Sequence, residues 1–213
     1  MPGSFQIGGN SIRNGDVLIN SSKSTKIAGN KFSKFIKHML KIGRPNLNDA
    51  PAWYPYFFDL APGDDLIAAL QQNKQHMLDL ASSIPLSKEN FKYAEDKWTV
   101  KQVFIHLADE ERYYAYKSFC YSRQIDVDLE VPPAGDTYPK DFHAANRTLT
   151  DIRDELATIR DATISLFRSM TPAMLDFKDF PGKEIIYSAR SLGWMVVGHN
   201  QHHCRFISEK YLV

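Results

Sequence analysis

Apolar side chains recur at every third or fourth residue in four separate stretches of the chain, with polar and charged residues between them. This spacing places the apolar residues on one face of a helix and predicts four amphipathic α-helices. We place them at about residues 64–82, 99–123, 148–170 and 188–211, with Asp64 as the cap of the first. No stretch shows the Val, Ile and Thr alternation that is typical of strands. The pattern predicts an all-α fold, an antiparallel four-helix bundle.

An aromatic segment at residues 52–58 precedes the first predicted helix. Pro51 precedes it, Pro55 lies within it, and it has no sustained helical period. We therefore expect this segment to be extended, with its rings lying over an apolar groove between helices.

The first 44 residues differ from the rest of the chain. Residues 1–30 are rich in Ser, Asn, Gly and Lys without an apolar period, which predicts disorder. Residues 31–41 have an apolar face opposite several lysines. This stretch can be a basic amphipathic helix for a membrane surface or an organellar address, a short helix docked on the bundle, or sequence upstream of a start at Met39. We expect a basic N-terminal extension at residues 1–44 and a bundle domain at residues 45–213.

Charge and composition restrict the function further. The chain has 26 basic and 25 acidic residues, but residues 1–44 hold eight of the basic residues and one of the acidic ones. The remaining 18 basic and 24 acidic residues give the bundle a net charge of −6, so we expect it not to bind nucleic acid. No segment resembles a membrane span or a secretory signal, and two cysteines in helical stretches form no disulfide framework. A cytoplasmic location is expected.

The last predicted helix carries two histidines that suit one metal ion. His199 and His203 are one turn apart and differ by only ~40° around the helix axis, so both imidazoles can reach the same ion. They share the helix face of Met195 and Ile207, and two imidazoles buried without a partner are costly to desolvate. His202 points ~60° away from His199 and ~100° away from His203, which does not suit the same ion.

A third ligand is expected from the second helix. His106 stands among apolar residues there, whereas His38, His76 and His143 fall in the extension, an exposed stretch and a loop. Three histidine nitrogens leave coordination positions open, as in catalytic metal sites. We predict that His106, His199 and His203 bind a divalent ion, with zinc, nickel, copper and iron all compatible with the ligands.

Two acidic residues follow His106 by about one turn. Asp109 and Glu110 can orient an imidazole or act as a general base, or they can form surface ion pairs, for which Asp109 and Arg112 are suitably spaced. Cys120 and Cys204 lie away from the predicted ligands, and we exclude both as ligands. A run of aromatic residues in the second helix can line a pocket or fill the core; it comprises Tyr113, Tyr114, Tyr116, Phe119 and Tyr121.

These segments, in this order, resemble the DinB-like family, also named DinB/YfiT-like. The resemblance covers about residues 44–213 and leaves the basic extension outside. It is carried by residues 97–101 leading into 106–112, by residues 147–160, and by residues 198–203.

The resemblance implies a bundle, often dimeric, with a metal bound by one histidine of the second helix and an i, i+4 pair of the last. These positions are His106, His199 and His203 here. Characterised relatives include thiol-dependent transferases and isomerases that use low-molecular-weight thiols. We therefore expect a homodimeric, metal-dependent enzyme of the transferase or hydrolase type, with zinc or nickel ahead of iron or copper. Its partner would be a small-molecule substrate, with a low-molecular-weight thiol among the candidates. The alternative is a non-catalytic protein that binds a metal or small ligand in a stress response.

Overall fold

The computed structural model describes residues 41–127, 144–178, 180–182 and 186–212, and this part of the chain is helical without a strand. The helices are α1 (Tyr54–Leu60), α2 (Leu66–Ser83), α3 (Val100–Ser122), α4 (Leu149–Arg168), α5 (Pro172–Asp176) and α6 (Ala189–Lys210). Short 3-10 helices occupy Leu47–Asp49 and Leu86–Lys88. The predicted all-α fold is confirmed.

Side-chain caps fix where the long helices begin. Thr99 and Ser188 each form a reciprocal capping box with the residue three positions later, and the Thr148 hydroxyl accepts the backbone N–H of Asp151. The α2 cap is Asp65, which accepts the N–H of Ile67, and not Asp64 as predicted. Asp64 instead pairs with Lys41 at 2.5 Å.

The aromatic segment is helical, which corrects the prediction of an extended connector. Residues 54–60 form α1, and Pro55 occupies its first turn. Proline is compatible with that position because the first backbone N–H groups of a helix have no partner within it. This helix packs on the bundle through α6.

The four long helices form a ring in which each touches two neighbours. α2 packs on α4 and α6, and α3 packs on α4 and α6. The pairs α2/α4 and α3/α6 are antiparallel; at the end of the latter pair the Tyr211 hydroxyl donates to the Trp98 carbonyl. The pairs α3/α4 and α2/α6 run in the same direction, as shown by the Lys101–Arg147 and Arg160–Glu111 contacts of the first pair. The 26 residues between α3 and α4 are long enough to return along a helix of 23 residues.

An ion pair in the core joins three of these helices. The Arg160 guanidinium of α4 donates two hydrogen bonds to the Glu111 carboxylate of α3, at 2.7 and 2.8 Å. It also donates to the Leu70 carbonyl and the Asn73 side chain of α2. Arg160 is fully buried and Glu111 is 3% exposed, so each charge depends on its partner.

Residues 41–44 pack against the bundle. Ile42 is buried, and the Arg44 guanidinium stacks 4.0 Å from the Trp194 ring while donating to the carbonyls of Phe58, Ala61 and Gly63. Predicted disorder at residues 1–30, most of the amphipathic stretch at 31–41, and His38 and His143 lie outside the described residues. The boundary at residue 44 stays a prediction. Among the described helices, none has the length and hydropathy needed to cross a membrane.

Candidate metal centre

Helices α3 and α6 bring the three predicted histidines together. The His199 Nε2 atom lies 3.3 Å from the His106 Nε2 atom and 3.2 Å from the His203 Nε2 atom. All three residues offer a nitrogen within 4.8 Å of the other two. His106 is buried, whereas His203 remains partly exposed. A site therefore forms where α3 crosses α6, with one side open.

The spacing of these nitrogens fits ligands around one ion. Zinc–nitrogen bonds of about 2.0–2.1 Å at tetrahedral angles place two ligand nitrogens roughly 3.3–3.4 Å apart. The two Nε2 separations from His199 are 3.2 and 3.3 Å. Little movement of the side chains is needed for the three residues to hold an ion.

Burial keeps the three imidazoles neutral. It lowers the pKa of His106 to about 4. The pKa values of His199 and His203 are also held well below the usual value, first by burial and then by the neighbouring histidines. A neutral imidazole presents the lone pair that a metal requires, so the cluster is ready to bind at neutral pH.

The neighbouring His202 takes a different role. Its Nδ1 atom lies 3.0 Å from the Tyr56 hydroxyl of α1, and its ring stacks on Phe206 at 6.3 Å. It lines the same cavity but is outside the three-nitrogen cluster. His76 is exposed on α2, with its Nδ1 atom 3.3 Å from the Gln201 side chain.

The two candidate acidic residues lie in different surroundings. Asp109 forms a surface ion pair with Arg112 at 3.4 Å. Glu110 is 4% exposed and lines the cavity with the histidines. Burial raises the pKa of Glu110 to about 7, against the opposing effect of a hydrogen bond from Tyr114. Of the two, Glu110 is the candidate for proton transfer.

The cysteines lie away from the cluster, as predicted. Cys204 is buried and hydrogen-bonds with Asn200, and burial raises its pKa to about 12. Cys120 is buried in α3. Neither belongs to the group of side chains that could hold a metal among the described residues.

A cavity of about 420 Å³ opens above the histidines. Sequence reasoning missed most of its wall, because the wall comes from segments far apart in the chain. Tyr114 is the member of the predicted aromatic run that lines it, whereas Tyr116 and Phe119 are exposed. The other aromatic lining residues are Trp53, Phe57, Tyr93, Trp98, Phe206 and Tyr211.

Gly198 lets α1 form one side of this cavity. A Cβ atom on Gly198 would lie 2.0 Å from the carbonyl oxygen of Phe57, so the α1 backbone approaches α6 directly beside His199. The Phe57 ring then packs 5.8 Å from the His199 ring. A glycine immediately before the first histidine of the pair was the available sequence signal for this crossing.

Comparisons with known proteins agree with this architecture. A structure of YfiT from Bacillus subtilis, described as "a probable metal-dependent hydrolase with an unusual four-helix bundle topology", aligns with a TM-score of 0.51 at 17% identity. The alignment covers 78% of this chain and 90% of YfiT, a level of likeness that concerns the fold. No curated protein matches the sequence. The sequence model of the DinB superfamily matches residues 69–207, about two thirds of the chain, and this range includes all three histidines. The chain belongs to the DinB superfamily.

Proposed function

We propose that His106, His199 and His203 bind one divalent metal ion and that this protein is a metal-dependent enzyme for a small-molecule substrate. The observation that carries the proposal is the convergence of three neutral imidazole nitrogens, with two Nε2 separations of 3.2 and 3.3 Å, at a cavity of about 420 Å³. Cavities of this size accommodate small molecules.

The ligand set favours a transition metal. Three imidazoles suit zinc, nickel, copper or iron, and they do not suit magnesium or calcium, which prefer oxygen ligands. We propose zinc or nickel first. A divalent ion held there supplies Lewis acidity, which lowers the pKa of a water or thiol and polarises a carbonyl group.

Glu110 supplies the proton-transfer group in this proposal. Its pKa of about 7 allows the carboxyl group to accept and release a proton near neutral pH. Tyr114, which follows it by one turn of α3, lines the same cavity and lowers the pKa of this carboxyl group against the larger effect of burial.

The hydrolase and thiol-transferase types use the same residues and differ in the attacking molecule. The fold shared with YfiT supports the hydrolase type, in which water attacks. In the transferase type a low-molecular-weight thiol takes the place of water. We further propose a cytoplasmic homodimer, which the two free cysteines and the family membership support.

Turnover of a panel of small esters and amides tests the enzyme proposal. The zinc- and nickel-loaded protein is assayed with and without added thiols, before and after chelation. We expect activity that chelation removes and metal restores, and we expect Glu110→Gln to retain the metal while lowering kcat by roughly 10²–10⁴-fold. Activity that depends on added thiol would assign the transferase type. Tight metal binding without turnover in any arm would contradict an enzyme and favour the non-catalytic binding protein.

A further inference from the structure

Aromatic rings make up most of the wall above the histidines. Helix α1 and the residue before it contribute Phe57 and Trp53, the segment before α3 contributes Tyr93 and Trp98, and the end of α6 contributes Phe206. Tyr93 packs edge-on against Phe206, with ring centroids 5.5 Å apart. Three separate parts of the chain thus present rings to one cavity.

Some of this aromatic surface is exposed. Trp53 is 51% exposed and Tyr93 is 36% exposed, and both line the cavity. Exposed tryptophan and tyrosine at the entrance of a cavity are typical of binding surfaces, because burying them against a ligand is strongly favourable. The exposed rings therefore indicate an apolar ligand.

The side chains of the cavity, taken without a metal ion, do not form a site for a polyanion. Lys97 is the one lysine among its described lining residues, no arginine is among them, and its Nζ atom lies 2.9 Å from the Asp96 carboxylate. Phosphate groups are usually recognised by arginine, by several cations or by helix N-termini. Glu110, at the inner end with the histidines, adds no positive charge.

We propose that the ligand of this cavity is a small planar aromatic molecule with no charge or a single negative charge. Its ring occupies the space between Trp53, Tyr93 and Trp98, and its reacting group faces the histidines. This inference deepens the function proposed above and rests on it for the reacting group, but the aromatic selectivity arises from the wall and does not require the metal.

Two hydroxamic acids with the same metal-binding group separate ring recognition from metal binding. Benzohydroxamate and acetohydroxamate differ by a phenyl group in place of a methyl group. We expect the zinc-loaded protein to bind benzohydroxamate about 30-fold more tightly, measured by calorimetry, because the ring is buried against aromatic walls. Equal affinities would overturn the inference.

A matched pair of variants tests whether the ring of the ligand lies in the cavity. Trp53→Ala removes a lining ring, whereas Tyr116→Ala removes a ring that is 53% exposed on α3 and does not line the cavity. Trp53→Ala should reduce the preference for benzohydroxamate by about fivefold and leave acetohydroxamate affinity and zinc content unchanged. Tyr116→Ala should change none of the three. An unaltered preference in Trp53→Ala would contradict the proposed position of the ring.

A metal-free arm keeps this inference separate from the proposed function. Benzamide and acetamide are titrated into chelator-treated protein and followed by NMR. If zinc fails to bind but benzamide still binds at least ~10-fold more tightly than acetamide, the metal proposal fails and the aromatic site stands. If zinc binds but neither aromatic probe is preferred, the aromatic inference fails alone.

Pyrophosphate binding to the metal-free protein would contradict the charge argument. Benzamide affinity that falls as protein concentration rises would show that a second copy of this chain covers the cavity.

Discussion

Glu110 is a residue whose ionisation opposes folding. Its folded-state pKa is raised from 4.5 to about 7, chiefly by burial, so the folded protein holds this proton more tightly than the unfolded chain. The stability that neutral Glu110 contributes is therefore fully present below pH 4.5, and this contribution is lost as the pH rises through 7. In chelator-treated protein, Glu110→Gln should remove this loss and stabilise the fold at pH 8 by up to about 3 kcal/mol.

The comparison is made by denaturant unfolding at pH 5 and pH 8. Asp109→Asn is the control, because Asp109 lies at the surface beside Arg112 and its replacement should change stability by less than about 1 kcal/mol at both pH values. A Glu110→Gln variant whose stability has the same pH dependence as the wild type would show that folding does not raise the pKa of Glu110.

Two glycines of α6 give a second test at this scale. A Cβ atom on Gly198 would meet the Phe57 backbone at 2.0 Å, whereas one on Gly193 would meet the side-chain ends of Leu66 and Phe167 at 2.6–2.7 Å. Side chains can repack, but the backbone contact requires α1 to move. Gly198→Ala should therefore accelerate amide hydrogen exchange in α1 by at least about tenfold, and Gly193→Ala should not.

Hydrogen exchange followed by mass spectrometry resolves peptides from α1 and α2 in the same experiment. Both variants are expected to lose about 1–3 kcal/mol of overall stability through overpacking. Equal exchange of α1 in both variants would contradict the close approach at Gly198.

At the level of the helices, the packing of α4 in the bundle depends on its buried arginine. Arg160 is fully buried, and removing it leaves the Glu111 carboxylate without its main cation in the core. Arg160→Met should cost about 3–5 kcal/mol of unfolding free energy, while the double variant Arg160→Met/Glu111→Leu should recover most of the loss, because neither charge is then buried alone.

Chemical denaturation measures these differences in unfolding free energy, and an exposed ion pair serves as the control. Arg205 and Glu209 form an i, i+4 pair at 2.6 Å on α6 with both side chains more than half exposed, so Arg205→Met should cost less than about 0.5 kcal/mol. A double variant as unstable as Arg160→Met alone would show that the arginine acts through its other contacts with α2.

The elements also show what local sequence can predict. The starts of α3, α4 and α6 predicted from the apolar spacing agree with the structure to within one residue. Each of these helices begins at a capping residue, Thr99, Thr148 or Ser188, whose partner lies three positions away. Helix α1 was missed because proline reads as a helix breaker in sequence, whereas Pro55 occupies a first turn, where it is tolerated. Its packing on α6, which the local pattern does not reveal, supports a helix of only seven residues.

For the whole molecule, the histidines were found from sequence but the cavity was not. The spacing of His199 and His203 on one helix identified them as candidate ligands, and the apolar neighbours of His106 identified the third. The positions of Trp53, Tyr93 and Trp98 around them depend on contacts between segments that are distant in sequence. The sequence likewise did not distinguish Glu110 from Asp109, because only the fold shows that Glu110 lines the cavity and that Asp109 pairs with Arg112 at the surface.

The assembly state is a prediction at this scale. We expect a homodimer, as the family membership implies, with twice the 24.3 kDa mass of one chain. Light scattering at micromolar concentration with and without metal measures this directly. A mass near 24 kDa across the concentration range would contradict it.

The central claim is that three histidines act as one metal site. Replacing any one of His106, His199 and His203 by Ala should weaken metal binding by at least about tenfold, because a site with two protein nitrogens holds its ion poorly. His202→Ala should have far less effect, since its Nδ1 atom pairs with Tyr56 and its nitrogens lie outside the cluster. Bound metal should also stabilise the wild type, by about 2.7 kcal/mol at a hundredfold excess over Kd.

The most direct test is metal content and melting temperature of the wild type and these four variants, with and without chelator. We predict a metal-dependent rise in melting temperature for the wild type and His202→Ala, and its loss in His106→Ala, His199→Ala and His203→Ala. The rise should persist at pH 6 and fade as the pH approaches about 4, because the pKa of His106 lies there and protons then compete with the ion for the imidazoles. Loss of metal in His202→Ala with retention in His203→Ala would contradict the assignment, and so would five proteins that respond identically to metal and chelator.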